Sequence, residues 1–250
     1  MSSFRTESGL VFDGVSQCDL LAMRDRLEHE YGLIPAQICE TAAFSHAMVI
    51  RFALGLKAAD GEVCALVKDG LCGWIALAAL RHLVNAGAKG NILLVGEGHG
   101  QELARQLKTL QRMGVQLDRW DAAQDSPRFA VRLLACHNVI CGLYTPGCSS
   151  SELMSSVIDT LNEVKTPVHA LEAPLGIDVD TGVVLHTPLY ASSTLSLGAA
   201  LAGLCNGRDY VGRHYLCDLS IPPELYTTQG VNWSPLFAEQ PVIRIFPDGN

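Results

Sequence analysis

Short apolar runs that alternate with longer helical segments dominate the chain from residue 62 onward. Each run spans a strand's length, and most are separated by ten or more residues with apolar side chains at helical spacing. Strands joined by helices of that length pair in parallel through right-handed crossovers. The pattern therefore predicts an α/β fold, a three-layer sandwich around a mostly parallel sheet. The predicted strands are 63–67, 91–95, 115–117, 139–143, 167–171, 194–197 and 214–217, and the predicted helices between them are 73–86, 101–113, 129–134 and 151–164.

Two further helices are predicted before the first strand. Residues 17–31 carry apolar side chains at helical spacing between Leu20 and Leu27. Pro35 is typical of a first helical position and begins a second helix that runs to about residue 54. We expect both helices to pack on the sandwich or on a partner.

Length and charge limit the possible architectures and partners. At 250 residues the chain fits a single domain over 1–250, with flexible ends at 1–14 and 247–250. The formal charge is −8 and no Lys/Arg run occurs, which argues against direct nucleic-acid binding. No window approaches the roughly 18 consecutive apolar residues of a membrane span, so no membrane association is expected.

Cysteine usage indicates a reducing compartment. The chain has 9 cysteines, an odd number, spread singly and without a C-x-x-C pair. Such cysteines are typical of buried free thiols rather than disulfides or zinc ligands. The polar amino terminus lacks the apolar region of a secretory signal, so a cytoplasmic location is expected.

The loops that follow the predicted strands are where ligands bind in such sheets. One of them, 96–100 (GEGHG), precedes a helix, and Asp118 lies at the end of the next strand. This context suits dinucleotide binding, in which glycines admit a pyrophosphate and an acid binds ribose. However, the third glycine of that fingerprint falls on Gln101. A plain glycine-rich turn is the alternative.

Acids and hydroxyls follow two other strands. Glu172 stands at a strand tip, where it is either a catalytic carboxylate or a structural one. Asp178 and Asp180 are possible metal ligands, but their Asp-Val-Asp-Thr-Gly context favours turn formation. The loop 144–151 (YTPGCSSS) is either an anion site at a helix start or, as we favour, an N-cap.

Three segments resemble the YjeF N-terminal domain family: 77–83 (LAALRHL), 172–182 (EAPLGIDVDTG) and 210–222 (YVGRHYLCDLSIP). The resemblance extends over roughly 15–246. It implies a Rossmann-like fold, a homodimer, and kinship with NAD(P)HX epimerases, which interconvert the R and S hydrates of NADH and NADPH. Other relatives are the apolipoprotein A-I-binding protein and the dimerisation domain of a decapping-enhancer scaffold protein.

The family's phosphate loop, G-P-G-N-N-G-G-D-G, matches residues 68–76 (KDGLCGWIA), where the two Asn become Leu71 and Cys72. The family's ion-binding catalytic Asp falls on Cys141. Its Asp and Ser in D-I-P-S-G become Glu172 and Leu175. The family's potassium site therefore becomes two thiols and a leucine, which suit a hard cation poorly, so the site is predicted to be lost.

These matches define the expected site. The catalytic candidates are Glu172 and Cys141. The substrate-binding candidates are Gly70, Leu71, Cys72, Gly73, Thr145, Gly147, Ser149, Ser150 and Glu172. We expect Cys72 and Cys141 to lie beside Glu172, either as space-filling thiols, which we favour, or as a soft-metal, disulfide or thiolate site.

We therefore predict a domain in which most epimerase residues are replaced. It serves either as a homodimeric scaffold, which a protein partner can join, or as a binder of a small nucleotide-like metabolite such as an NAD(P)-derived ligand. No certain cofactor follows from the sequence. One alternative is an active NAD(P)HX epimerase or another isomerase that uses Glu172. A weaker alternative is a dinucleotide-binding oxidoreductase module that uses 96–100 and Asp118.

Overall fold

A computed structural model describes residues 2–57, 61–147, 151–232 and 234–249. Ten strands form one sheet within these residues. The strands are β1 Ser3–Thr6, β2 Val11–Asp13, β3 Glu62–Val67, β4 Lys89–Val95, β5 Gln116–Trp120, β6 Asn138–Gly142, β7 Val168–Leu171, β8 Ser193–Leu197, β9 Arg213–Cys217 and β10 Val242–Pro247. The helices are α1 Gln17–His29, α2 Pro35–Met48, α3 Leu71–Asn85, α4 Gln101–Arg112, α5 Ser126–Leu134, α6 Glu152–Val164, α7 Arg208–Val211 and α8 Pro223–Thr228.

The central part of the sheet is parallel, which confirms the predicted fold class. The strand order is β2-β1-β10-β9-β8-β7-β6-β3-β4-β5, and every pair from β9 to β5 is parallel. Strand β3 has β4 on one side and β6 on the other, so the chain reverses its direction of winding there. Ligands bind beside such a switch point, outside the carboxyl ends of the strands.

Residues near both ends of the chain form paired strands, although the sequence analysis expects flexible ends. Residues 1–14, predicted to be flexible, contain the hairpin β1–β2, and β1 pairs antiparallel with β10, which extends to Pro247. Phe4 and Phe12 from the hairpin are buried, with ring centroids 5.8 Å apart. Strands of three or four residues carry too short a hydrophobic pattern to recognise, and their stability comes from pairing with a strand more than 200 residues away.

The two predicted amino-terminal helices are confirmed. Helix α1 begins at the N-cap Ser16, whose hydroxyl accepts the Asp19 backbone N–H at 3.1 Å. Helix α2 begins at Pro35 and continues as a π-helical turn over Val49–Ala53. Helix α2 packs along α3.

Buried apolar side chains form two clusters. The first gathers α1 to α4 with one face of the central strands, and the second gathers α5 and α6 with the other face. Adjacent residues of a strand point to opposite faces, so Ile140 belongs to the first cluster and Cys141 to the second. Among the described helices, none has the length and apolar character needed to cross a bilayer.

Candidate functional site

Glu172 lies directly after β7, at the carboxyl edge of the sheet. Its backbone is left-handed, with φ 68°, an uncommon conformation for a residue other than glycine that the surrounding structure must hold in place. The side chain is fully buried. Its Oε2 forms an ion pair with Arg24 of α1, and its Oε1 accepts the backbone N–H of Leu197 at 3.3 Å. Arg24 also donates to the Leu197 carbonyl oxygen at 2.9 Å.

Helix α1 covers this carboxylate and is fastened by polar contacts at its start as well. The backbone N–H of Gln17 donates to Asp180 Oδ1 at 2.6 Å, and Tyr144 Oη donates to Gln17 Oε1 at 2.6 Å. Gln17 and Arg24 are seven residues apart, so they share one face of the helix. Sequence alone does not assign Arg24 or Gln17 to this site, and Tyr144 enters it only as part of the candidate loop 144–151. The available signal was an arginine within an otherwise apolar helix face.

The electrostatics of this cluster are those of a closed ion pair. Burial raises the pKa of Glu172, and the Arg24 guanidinium opposes that rise. The pKa of Cys72 is raised, first by burial and then by the Glu172 carboxylate, and the pKa of Tyr144 is raised by the same two causes. Because both oxygens of Glu172 already accept hydrogen bonds, this carboxylate is poorly placed to take a proton from a substrate.

The loop after β3 has a backbone conformation that depends on the two glycines it shares with the family's phosphate loop. Gly70 has φ 143°, and a Cβ added at Gly73 would lie 1.8 Å from the Lys68 carbonyl oxygen, so glycine is required there. The side chains of Leu71 and Cys72 pack on the first apolar cluster instead of lining a polar cradle.

Asp69 ties this loop to the glycine-rich loop after β4. Its Oδ1 accepts Trp74 Nε1–H at 3.0 Å, and its Oδ2 accepts the Gly100 backbone N–H at 2.6 Å. A carboxylate therefore occupies the start of α4, where a pyrophosphate would otherwise bind. The proposed ribose acid, Asp118, pairs with Arg128 at 3.2 Å and also with Arg132. The geometry opposes a dinucleotide site here.

The expected meeting of Cys72, Cys141 and Glu172 is only partly present. Cys72 lies within electrostatic range of Glu172, Arg24 and Cys141. Cys141, however, belongs to the second cluster, on the opposite face of the sheet, because its neighbour Ile140 faces the first. Both are free thiols, which agrees with a space-filling role.

The residues at the family's potassium positions do not fit a hard cation. Burial raises the pKa of Cys141 to about 12 and also raises that of Cys72, so both thiols are neutral at physiological pH. The third position, Leu175, offers only an apolar side chain. Nowhere in 2–57, 61–147, 151–232 and 234–249 do three His, Cys, Asp or Glu side chains form a metal-type group.

A cavity of about 360 Å³ lies between the loops after β6 and β7 and helix α6. Tyr144, which hydrogen-bonds Gln17 near Glu172, forms part of its wall. Apolar side chains predominate in its wall, and Tyr144, Thr145 and His186 supply the polar groups. Thr145 lies beside the β3 loop, since a Cβ at Gly70 would lie 3.7 Å from its Oγ1. The described residues that line the cavity are Leu143, Tyr144, Thr145, Met154, Ile158, Pro174, Leu175, Gly176, Ile177, Leu185 and His186.

The other residues predicted to form the site either have structural roles, lie away from the cavity or lie outside the described residues. Asp178 Oδ1 accepts the Thr181 backbone N–H at 2.7 Å and the Asp180 N–H at 3.1 Å, which confirms the turn interpretation. Ser151 accepts the Met154 N–H at 3.2 Å and caps α6, as predicted. Gly147 is exposed with φ 69° and does not line the cavity. Ser149 and Ser150 lie outside the described residues.

Comparison with known proteins identifies the family to which the chain belongs. The model of the YjeF-related protein N-terminus, YjeF_N, matches residues 35–203. The chain belongs to the YjeF_N family. A crystal structure of the yeast protein YNL200c has this YjeF_N fold, with a TM-score of 0.80 at 17% identity over 93% of this chain and 99% of that one.

Curated relatives of this YjeF_N chain share less than a third of its residues. It is 29% identical to the bifunctional NAD(P)H-hydrate repair enzyme Nnr of Salinibacter ruber, over 78% of this chain and 38% of that protein. It is 28% identical to the NAD(P)H-hydrate epimerase of Dehalogenimonas lykanthroporepellens, over 78% of this chain and 77% of that protein. The chain thus spans about two fifths of the Nnr proteins that it matches.

Proposed function

We propose that this YjeF_N domain no longer epimerises NAD(P)H hydrates and instead binds a small, uncharged nucleoside-like metabolite. The Arg24–Glu172 ion pair supports the loss of epimerisation. Glu172 is the one carboxylate at the aligned family positions that could act as a base, and its charge is already paired with Arg24. The apolar side chains at the matched loop positions Leu71, Cys72 and Leu175 support the same conclusion. Active epimerisation through Glu172 stays the alternative.

The chemistry of the cavity supports an uncharged ligand. Among the described lining residues there is no lysine or arginine to neutralise a phosphate. The chain's formal charge of −8 adds a field that repels anions. About 360 Å³ lies within the range of roughly 300–1,000 Å³ typical of small-molecule sites. A ring packed among Leu143, Ile158 and Leu175, with Thr145 and His186 reaching its polar edge, fits these walls.

Calorimetric titration of the full chain with adenosine and with ADP tests this ligand class. We expect adenosine to bind at least about tenfold more tightly, because each uncompensated phosphate charge disfavours the site. Leu185→Trp at the cavity rim is expected to abolish binding, whereas Leu134→Trp, at an exposed position on α5, is the matched control and leaves it intact. Tighter binding of ADP, or equal loss in both variants, would contradict the proposal.

We also propose that the domain is a homodimer that uses its amino-terminal helices, as the family resemblance implies. Phe44 and Phe52, in α2 and the turn after it, are 53% and 66% exposed, so these amino-terminal helices present aromatic surface that a second copy would cover. Sedimentation velocity at micromolar protein is expected to give twice the 26.9 kDa monomer mass. The double variant Phe44→Glu/Phe52→Glu should dissociate, while Val131→Glu on α5 should not. A wild-type monomer would refute the dimer.

A further inference from the structure

The antiparallel end of the sheet carries three arginines on one face, which we call the arginine face. Arg5 of β1 lies opposite Phe246 of β10, and Arg244 of β10 lies opposite Tyr215 of β9. Because alternate residues of a strand share a face, Arg213, two residues before Tyr215, lies on this face as well. All three arginines are exposed to solvent.

The positive charges of this face lie close together with little to neutralise them. The guanidinium carbons of Arg5 and Arg244 are 5.4 Å and 4.8 Å from the centroid of the Phe246 ring. Within the described residues, Glu7 is the one carboxylate at ion-pairing distance from any of the three arginines, at 3.8 Å from Arg244, and its side chain is 67% exposed. The chain as a whole has a formal charge of −8. A local excess of positive charge on such a chain favours an anionic partner.

Two hollows share Arg213 and Arg244 in their walls. The smaller one, of about 70 Å³, lies at the start of β9 and the end of β10, and Arg208 also lines it. No carboxylate is among its described lining residues. Its volume suits a group of a few heavy atoms, such as a carboxylate, which a guanidinium binds through two parallel hydrogen bonds.

The larger hollow adds apolar contact to the same arginines. It has a volume of about 460 Å³, and Met48, Val49 and Val242 line it beside Arg213 and Arg244. Arginine next to apolar and aromatic side chains is typical of protein interfaces. Phe52 lines this hollow too, so a test must distinguish a partner protein from a second copy of the chain.

We propose that the arginine face binds an acidic segment of a partner protein. One carboxylate of the segment enters the smaller hollow between Arg213 and Arg244, a second pairs with Arg5, and an apolar side chain between them occupies the larger hollow. The strands β9, β10 and β1 are neighbours, so about 10 Å separate the outer arginines, a distance that three or four extended residues span. The start of β9 lies at the sheet edge opposite Glu172, so this binding does not depend on the proposed loss of epimerisation.

Fluorescence anisotropy of the full chain with a fluorescein-labelled peptide, Glu-Asp-Phe-Asp-Glu, tests the proposal. We expect saturable binding that weakens at least about tenfold in Arg213→Met/Arg244→Met, because methionine keeps the apolar stem and removes the charge. Arg105→Met/Arg112→Met removes two exposed arginines of α4, at the far end of the sheet, and is the matched control that should bind as the wild type does. Equal weakening in the two double variants, or equal binding of the peptide Gln-Asn-Phe-Asn-Gln, would overturn the proposal.

Three further measurements test the identity of the occupant. Arg5→Met alone should weaken peptide binding about threefold, and an unchanged affinity in that folded variant would contradict the assignment. Labelled hexauridylate should bind more weakly than the peptide, whereas binding at least as tight, lost in Arg213→Met/Arg244→Met, would assign the face to a nucleic acid. Sedimentation velocity of this double variant should give the wild-type mass, whereas loss of a wild-type dimer would assign the face to a second copy and overturn the proposal.

Discussion

Replacing Arg24 with methionine is expected to destabilise the folded chain by about 3–5 kcal/mol, the usual cost of leaving one member of a buried ion pair unpartnered. Arg24 and Glu172 have side chains only 12% and 1% exposed, so water cannot rehydrate the remaining carboxylate. Methionine keeps the length of the arginine stem and removes its charge. Urea denaturation followed by circular dichroism would measure the change in the free energy of unfolding.

The matched controls use the same substitution and the same pair. Arg26→Met breaks an exposed pair with Glu30, one turn further along α1, and should change stability little. The double variant Arg24→Met/Glu172→Gln removes both charges and should recover most of the loss, because no unpaired charge stays buried. If Arg24→Met costs no more than Arg26→Met, the ion pair does not hold α1 over the site.

Acid is expected to destabilise this fold steeply between about pH 6.5 and pH 4. Burial lowers the pKa of His46 to about 3, that of His169 to about 4 and that of His214 to about 3, from an ordinary 6.5. Below pH 6.5 the unfolded chain binds protons that the folded chain does not, so stability present at pH 7 is lost as pH falls. At pH 5 each histidine accounts for about 2 kcal/mol, or about 6 kcal/mol together. The raised pKa of Glu172 acts in the opposite direction, but it is a single group.

Burial is the main reason that these three histidines stay neutral, whatever their hydrogen-bond partners. His169 hydrogen-bonds Ser193 at 2.9 Å and Asn138 at 2.7 Å, and His214 hydrogen-bonds Ser196 at 2.8 Å. His46 has neither ring nitrogen paired, in the part of the chain that the structure describes, and His169 further lowers its pKa.

Unfolding measured from pH 7.5 to 4.5 tests the acid effect. His46→Leu removes one of the three titrating groups, so it should stabilise the chain by about 2 kcal/mol more at pH 5 than at pH 7.5. His99→Leu, at an exposed loop position, is the matched control for the loss of a histidine side chain. A wild-type stability that is flat across this range would show that the buried histidines do not titrate on unfolding.

The sequence predicts those features of the structure that depend on neighbouring residues, and it does not predict those that depend on contacts between distant residues. The parallel strands and their helices follow from hydrophobic periodicity within single segments, and the Asp178 turn follows from neighbouring residues. The Arg24–Glu172 pair joins residues 148 positions apart; the apolar helix face around Arg24 marks one member, but no local pattern identifies its partner. The expected meeting of Cys72, Cys141 and Glu172 is only partly present, because strand topology brings the three residues to one edge of the sheet whereas side-chain alternation puts Cys141 on the face opposite to Cys72.

The proposed loss of the family's chemistry from this YjeF_N scaffold can be measured directly. The most direct measurement mixes the full chain with the R hydrate of NADPH and an S-specific dehydratase, and follows NADPH recovery by its absorbance. An active family member serves as the positive control. We expect no rate above spontaneous epimerisation, because Glu172 is buried and paired with Arg24. Turnover comparable to the active member, lost in a folded Glu172→Gln variant, would contradict the account.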